Sequence, residues 1–128
     1  MMFLLDSQEW LGIFTSFTGM VGESIPKSGI LTSPNYPSLY PSSHDSTQTI
    51  EVAEGKTIHL SWTRFDTEYS YDYVQILDED GNQLRPQPPK MWGNSLPPPF
   101  TSNSNIVRIK FHTDGDTRRT GWRLEWTE

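Results

Sequence analysis

The chain of 128 residues contains no cysteine. It therefore cannot form a disulfide bond, use a thiolate nucleophile or build a zinc site from cysteine ligands. Taken alone, a sequence without cysteine is more typical of a cytosolic protein than of a secreted one, because disulfide bonds persist mainly in oxidising compartments.

Long apolar runs and an excess of basic residues are also missing. No apolar run reaches the length of about 18 residues that a spanning helix needs, so the sequence predicts no membrane span. Ten basic residues stand against sixteen acidic ones, which gives a net charge of −6. This balance argues against binding to a nucleic-acid backbone and favours a cation or a basic partner.

Aromatic side chains compensate for a low hydrophobic content. Hydrophobic residues make up 34% of the chain, and the aromatic residues among them 12% of it. Because each large ring can bury on the order of 150 Å², these residues supply enough apolar area for a core. The length and composition predict one globular domain.

Short segments of alternating polar and apolar residues recur along the chain, separated by turns rich in glycine, proline and asparagine. They cover residues 30–32, 46–53, 56–65, 73–77, 104–111 and 121–126. Alternation with a period of two is typical of β-strands. The absence of any helical pattern predicts an all-β fold, namely an antiparallel two-sheet β-sandwich with jelly-roll topology.

Two local predictions follow from the segments at 46–53 and 56–65. Glu54 and Gly55 separate them, which predicts a β-hairpin. Within the second segment, alternation predicts one face formed by Ile58, Leu60, Trp62 and Arg64.

The first 24 residues differ from the rest, and we place the folded domain at 25–128. Residues 10–22 are mostly apolar or small, which resembles the apolar region of a secretory signal, but acidic Asp6 and Glu9 precede them instead of basic residues. A signal-like or poorly ordered leader, a piece of packed structure and a fragment boundary all remain open.

Acidic residues cluster in two stretches of the sequence. Asp66, Glu68 and Asp72 lie in the segment FDTEYSYDYVQIL, and Asp114 and Asp116 lie in FHTDGDTRRTGW. Both stretches adjoin predicted strands, so a rigid sheet would aim these side chains. We predict that three or four of the carboxylates meet at one end of the sandwich.

These motifs, taken together, resemble a known family. The series GILTSPNYPSLYP at 29–41, FDTE with YDYVQI at 65–76, WG at 92–93 and FHTDGD with GW at 111–122 is similar to the CUB domain. That domain is an extracellular module of complement proteases, cubilin, neuropilin and spermadhesins. The resemblance covers 29–126 and implies a jelly-roll sandwich, an extracellular or secreted location, a role in protein binding rather than catalysis, and a place among other domains of a larger chain.

The sequence departs from the family pattern at its cysteines. CUB domains usually hold two disulfide bonds, but Ser46, Tyr69 and Trp92 stand at three of the corresponding positions. We expect Tyr69 and Trp92 to pack where a disulfide would lie, with a burial energy comparable to the roughly 2–4 kcal/mol of a typical cross-link. The lack of cysteine therefore does not decide the compartment.

The resemblance also implies a calcium site. In the calcium-binding branch of the family three acids hold the ion, and by position these are Glu68, Asp72 and Asp114, with backbone oxygen donors at Asp116. The same acids would bind a Lys or Arg side chain of a protein partner. We also assign Tyr40 to this partner-binding site, where it would hydrogen-bond the cluster. Calcium takes six to eight oxygen ligands at about 2.3–2.6 Å, and three close carboxylates repel one another unless a cation lies among them.

The spacing leaves alternatives open. Glu68 and Asp72 are only four residues apart, which is shorter than in many calcium-binding relatives. A metal-free carboxylate cluster and ordinary solvated turn acids therefore stay open beside the calcium site.

Two other function classes also stay open. Paired carboxylates could serve a carbohydrate-active enzyme, and the proline-rich loop at 86–99 could pack against sister domains of a structural, matrix or adhesion module. The three histidines, at positions 44, 59 and 112, show no metal spacing and are assigned to packing or surface roles.

Overall fold

The computed structural model describes residues 27–84 and 90–128. The expectations for the leader at 1–24, and for part of the proline-rich loop, lie outside these residues. Within these ranges the chain forms seven strands, namely β1 (Ser28–Thr32), β2 (Asp45–Glu51), β3 (His59–Asp66), β4 (Tyr73–Leu77), β5 (Phe100–Thr101), β6 (Ile106–His112) and β7 (Gly121–Thr127). The predicted all-β architecture is confirmed. None of the described segments forms a helix with the length and hydrophobicity that a membrane span requires.

The strands form two antiparallel sheets. One sheet has four strands in the order β1-β7-β3-β5, and the other has three in the order β2-β6-β4. Every strand pairing is antiparallel. The arrangement is the two-sheet sandwich that the alternating pattern predicts.

The core lies between the sheets and is built around aromatic rings. Trp122 on β7 is fully buried, and its ring meets Trp62 of the same sheet at 5.7 Å and Phe111 of the opposite sheet at 5.8 Å, both edge-on. Edge-to-face contacts at this separation are favourable for aromatic pairs. The rings on β7 and β3 therefore supply the apolar area that the modest hydrophobic content requires.

The predicted hairpin at Glu54 and Gly55 is wrong. A tight turn is present there, with the amide of Lys56 donating to the carbonyl of Ala53 at 3.1 Å, but β2 and β3 belong to different sheets. Val52 before the turn and Ile58 after it are both fully buried. The chain therefore passes from one sheet to the other and does not form a hairpin. Alternation within each strand does not reveal which of these two connections forms.

The grouping of Ile58, Leu60, Trp62 and Arg64 on one face is correct only as far as Trp62. The pairing of β3 with β7 shifts between Trp62 and Arg64, so that Phe65 is buried while Arg64 is exposed. A β-bulge inserts one extra residue and reverses the alternation beyond it. Burial of the apolar Phe65 ring instead of a guanidinium group explains why the irregularity is favourable.

Candidate metal centre

Two loops at one end of the sandwich carry the predicted acids. Glu68 and Asp72 lie in the connection from β3 to β4, and Asp114 lies in the connection from β6 to β7. Tyr73, the first residue of β4, pairs with His112, the last residue of β6. This register brings the start of one loop beside the end of the other.

The loops place three carboxylates together. One oxygen from each of Glu68, Asp72 and Asp114 lies within 4.8 Å of the other two. Asp72 is fully buried, whereas the other two side chains are partly exposed. The short spacing between Glu68 and Asp72 therefore does not prevent convergence.

Hydrogen bonds to both of its oxygens fix the Asp72 carboxylate. One oxygen accepts the hydroxyl of Tyr40 at 2.5 Å, and the other accepts the backbone N–H of Asp114 at 2.9 Å. Bonds to an ionised acceptor are stronger than neutral ones. The two bonds tie the β3–β4 loop to two other loops and hold the buried charge in one orientation.

Tyr40, in the connection between β1 and β2, contacts two residues of the cluster. Its hydroxyl oxygen also accepts the backbone N–H of Glu68 at 3.0 Å, and its ring is fully buried against Phe111. Burial and the bond to Asp72 raise the pKa of Tyr40 far above its ordinary value, so the hydroxyl remains a proton donor. The expected hydrogen bond to the cluster is present, but the buried ring is not part of the outer surface.

Burial and the neighbouring negative charges disfavour the ionised form of Glu68. Burial, followed by the charges of Asp114 and Asp72, raises the pKa of its carboxyl group. One of its carboxylate oxygens is buried and has no hydrogen-bond partner among the described residues. A buried, unsatisfied acceptor beside two like charges is the condition that a bound cation would relieve.

The Asp116 side chain does not join the three clustered carboxylates and is exposed. Its backbone N–H donates to a side-chain oxygen of Asp114 at 3.1 Å. The residue therefore orients Asp114 through its main chain. Its predicted role as a backbone oxygen donor to a metal stays a prediction.

Thr67 connects the parts of this loop, although no sequence pattern singles it out. Its buried hydroxyl donates to the carbonyl of Asp72 at 3.2 Å and accepts the N–H of Gly93 at 3.0 Å, while its own N–H donates to the carbonyl of Gly93 at 2.8 Å. These bonds join the loop that follows β3 to the segment around Gly93. The hydroxyl partners of Thr67 lie 5 and 26 residues away along the chain, outside the local patterns by which such side chains are recognised in a sequence.

Tyr69 and Trp92 meet as predicted, but largely at the surface. Their rings contact edge-on with centroids 5.8 Å apart, while Tyr69 is 71% exposed and Trp92 36% exposed. An aromatic pair contributes about 0.5–1.5 kcal/mol beyond the area it buries, which is less than a typical disulfide bond. The expectation that their burial matches the energy of a cross-link is therefore wrong. The hydrogen bonds between Thr67 and Gly93 also join these two segments.

The donor set fits calcium. Two ligand oxygens on one calcium ion, each at about 2.3–2.6 Å, lie at most about 5 Å apart. The separation of no more than 4.8 Å among the three carboxylates meets this requirement. The ligands are all hard oxygen atoms on loops, which suits the irregular coordination that calcium accepts.

Comparison with known proteins agrees with this geometry. The CUB domain family matches residues 21–126 of the chain. The chain is 34% identical to human mannan-binding lectin serine protease 1 over 107 residues, which span 78% of the chain and 15% of that protein. It is 32% identical to dog cubilin over 126 residues, which span 94% of the chain and 3% of cubilin. The chain thus corresponds to a small part of these relatives.

Solved structures show the same fold. The MASP-1 CUB2 domain bound to Ca²⁺ superposes with a TM-score of 0.70 at 29% identity, covering 82% of this chain and 96% of that one. The CUB1-EGF-CUB2 region of human MASP-1/3 gives a TM-score of 0.69 at 32% identity, covering 80% of this chain and 39% of that one. With the family match over 21–126 and this shared two-sheet sandwich, the chain belongs to the CUB domain family.

Proposed function

We propose that this domain is a calcium-assisted, extracellular protein-binding module that captures a Lys or Arg side chain of its partner at the acidic loops. The convergence of Glu68, Asp72 and Asp114 within 4.8 Å is the observation that carries the proposal. The solved MASP-1 CUB2 domain bound to Ca²⁺ supports it, as a relative of the same fold with that ion.

Each acid has a distinct part in the proposed site. Asp72 is fully buried and hydrogen-bonded through both oxygens, so its carboxylate has a fixed orientation in the proposed site. Glu68 and Asp114 are partly exposed, so their carboxylates would be available both to an ion and to a basic group of the partner. When bound, calcium supplies positive charge that offsets the repulsion among the three carboxylates.

The site retains negative charge after calcium binds. The three clustered carboxylates carry −3 when all are ionised, so one divalent ion leaves −1 to attract a basic side chain. Ammonium and guanidinium groups form charge-assisted hydrogen bonds with carboxylates, and Arg does so with two parallel bonds. The overall charge of −6 also favours the approach of a basic partner.

The module is proposed to have no catalytic activity. A glycosidase of the paired-carboxylate type needs two carboxyl groups that both face the substrate. Asp72 is fully buried and held by Tyr40 and the backbone of Asp114. It therefore supports a site but does not face a cleft.

Isothermal titration of Ca²⁺ tests the metal site directly. We expect saturable heat in the natural protein and its loss in Asp114→Asn, because the substitution removes a charged ligand but keeps the backbone N–H that orients Asp72. The matched control is Asp116→Asn in the same loop, whose side chain lies outside the carboxylate group. Equal heat in the Asp114 variant and the natural protein would remove Asp114 from the ligand set.

A further inference from the structure

The outward face of the three-stranded sheet carries a row of basic side chains in an otherwise acidic protein. On β6 the odd-numbered residues are buried in the core, so Arg108, Lys110 and His112 all project from the opposite, outward face. Alternate residues of a strand lie about 6.6–6.8 Å apart. The three side chains therefore form a straight, evenly spaced row along the middle strand of this sheet.

A fourth basic group adjoins one end of the row. The register pairs His112 with Tyr73 of β4, and the two rings lie 5.0 Å apart. The ammonium group of Lys90 lies over the same Tyr73 ring, 4.4 Å from its centroid. At this end Asp45 of β2 is already bonded to His112, with 2.8 Å between the ring nitrogen and the carboxylate oxygen. The basic surface thus extends from β6 across the neighbouring strand.

Three of these cations have no anionic partner. Within 27–84 and 90–128, neither Lys90 nor Arg108 nor Lys110 forms an ion pair with a carboxylate. The Nε of Arg108 is moreover buried and finds no acceptor among these residues. Burial of a charged donor without a partner is unfavourable. An anion bound along the row would offset this uncompensated charge.

The residues beside the row are compatible with an anion. The exposed Thr47 and Thr49 of β2 stand opposite Lys110 and Arg108 in the register. Their hydroxyl groups can donate hydrogen bonds to an oxyanion and carry no charge that would repel it. The acids of β2 are its first and last residues, and β4 contains none. These acids confine the favourable region to the middle of the sheet, so the site fits a short ligand.

The surface suits sulfate groups on a sugar better than an acidic protein or a nucleic acid. Protein interfaces have an apolar or aromatic centre, but none of the exposed large hydrophobic side chains in the described part of the chain lies on β2, β6 or β4. Single-stranded nucleic acids need aromatic platforms on which bases stack, and the net charge of −6 opposes a long polyanion. A short sulfated sugar needs only spaced cations and hydroxyl groups, which hold its oxygens by charge-assisted hydrogen bonds.

We propose that the outward face of the β2-β6-β4 sheet binds a short sulfated oligosaccharide through Lys90, Arg108 and Lys110, with Thr47 and Thr49 as hydrogen-bond donors. This site goes beyond the proposed function and does not rest on it. It uses none of the three clustered carboxylates and requires no calcium.

Nuclear magnetic resonance titration in chelator tests the site. The probe is a fully sulfated heparin tetrasaccharide, followed through the backbone amides of β2, β4 and β6 at a salt concentration of about 50 mM. We expect saturable shifts on these strands that weaken as salt rises to about 200 mM. The same tetrasaccharide without its sulfate groups should bind at least about tenfold more weakly, because two or more ion pairs are lost.

Substitutions in the row are expected to weaken binding in proportion to the charge they remove. Arg108→Gln and Lys110→Gln should each lower the affinity for the sulfated probe about two- to fivefold, the range of one exposed ion pair. Arg123→Gln is the matched control. It changes the net charge by the same amount on β7 of the other sheet, where Arg123 is paired with Glu125 at 2.9 Å, and it should leave the affinity unaltered.

Several results would overturn the inference. These are an absence of shifts on the three strands, equal affinity for the probe with and without sulfate, and equal weakening by the Arg123 variant, which would assign binding to overall charge. A short DNA duplex that binds as tightly as the sulfated probe would overturn the ligand class. The comparison of the two sugars uses the natural protein, so it decides the matter even if one variant does not fold.

Discussion

At the scale of single residues, the site depends on a hydroxyl group that never reaches the surface. The Tyr40 hydroxyl donates to the Asp72 carboxylate and accepts the backbone N–H of Glu68, so one buried group contacts two of the three acidic residues. Removing one partner of a buried hydrogen bond leaves the other unsatisfied, which costs more than the bond itself contributes.

We therefore predict that Tyr40→Phe destabilises the domain by about 1–3 kcal/mol and weakens calcium binding, because Asp72 loses a donor and Glu68 an acceptor. Urea unfolding measures the first effect and calcium titration the second. Tyr73→Phe is the control, since no described residue hydrogen-bonds the Tyr73 hydroxyl and its ring remains. Equal stability of the Tyr40 variant and the natural protein would contradict the assigned role.

A second residue gives the domain a defined response to acid. Asp78, just after β4, accepts the backbone N–H groups of Asp80 and Asn82, each at 2.9 Å. These bonds, led by that from Asn82, lower its pKa from the ordinary value of 3.8. The acidic turn at 78–82 is thus stabilised by one of its own carboxylates.

The lowered pKa fixes the direction of the pH effect. A depressed carboxyl pKa stabilises the fold above the ordinary value of 3.8, and this contribution is lost as pH falls through the folded-state pKa. The stability difference between the natural protein and Asp78→Ala should thus be constant near neutral pH and shrink below that value. Urea unfolding across pH measures it, with Glu79→Ala in the same turn as control. A difference that does not shrink in acid would contradict the assignment.

At the scale of elements, the start of β7 is fixed by close contact with the loop after β1. Gly121 has a φ of +92°, and a side-chain Cβ there would come within 1.9 Å of the Ser33 hydroxyl. That hydroxyl accepts the N–H of Trp122 at 3.0 Å, while the N–H of Ser33 donates to the Trp122 carbonyl at 2.9 Å. Only glycine allows the two segments to approach so closely.

Gly121→Ala separates contact from backbone strain. Gly81 has nearly the same φ of +89° but no atom within 4 Å of an added Cβ, so Gly81→Ala measures strain alone. We expect about 1–2 kcal/mol of destabilisation for Gly81→Ala. Gly121→Ala should cost a further 1–3 kcal/mol, roughly the loss of the buried Ser33 bond. Equal unfolding free energies for the two variants in urea would show that the contact is unimportant.

At the scale of the whole molecule, the sandwich acts as a frame that brings distant parts of the chain to one end. Tyr40, Asp72 and Asp114 come from three different connections, and the antiparallel register of β4 with β6 places two of those connections side by side. The cluster is therefore coupled to the global fold, and an ion that binds it stabilises the folded state by mass action.

Calcium is accordingly expected to raise the melting temperature of the domain relative to a sample in chelator. At a free concentration of one hundred times Kd the gain is about 2.7 kcal/mol. Differential scanning calorimetry measures it, with Mg²⁺ as the control because that smaller ion demands near-ideal octahedral geometry. No change in melting temperature with calcium would favour the metal-independent structural module.

The sequence by itself determined the all-β class, the identity of the acidic loops and every strand of the described residues except the short β5 (Phe100–Thr101). These features depend on local alternation and on residues whose chemistry is visible one at a time, such as the buried side chains of Trp122 and Leu124 beside exposed Glu125 on β7. The motifs around Tyr40, Asp72 and Asp114 also identified the family, because their order along the chain is specific.

Only the tertiary structure decided which strands pair and how the acids meet. Glu54 and Gly55 form a turn in either a hairpin or a crossing, so local residues could not place β2 and β3 in different sheets. The bulge that buries Phe65 and exposes Arg64 follows from pairing with β7. Likewise, the Tyr40 and Thr67 hydrogen bonds join groups from separate segments, and contacts of that kind exist only once the sheets have packed.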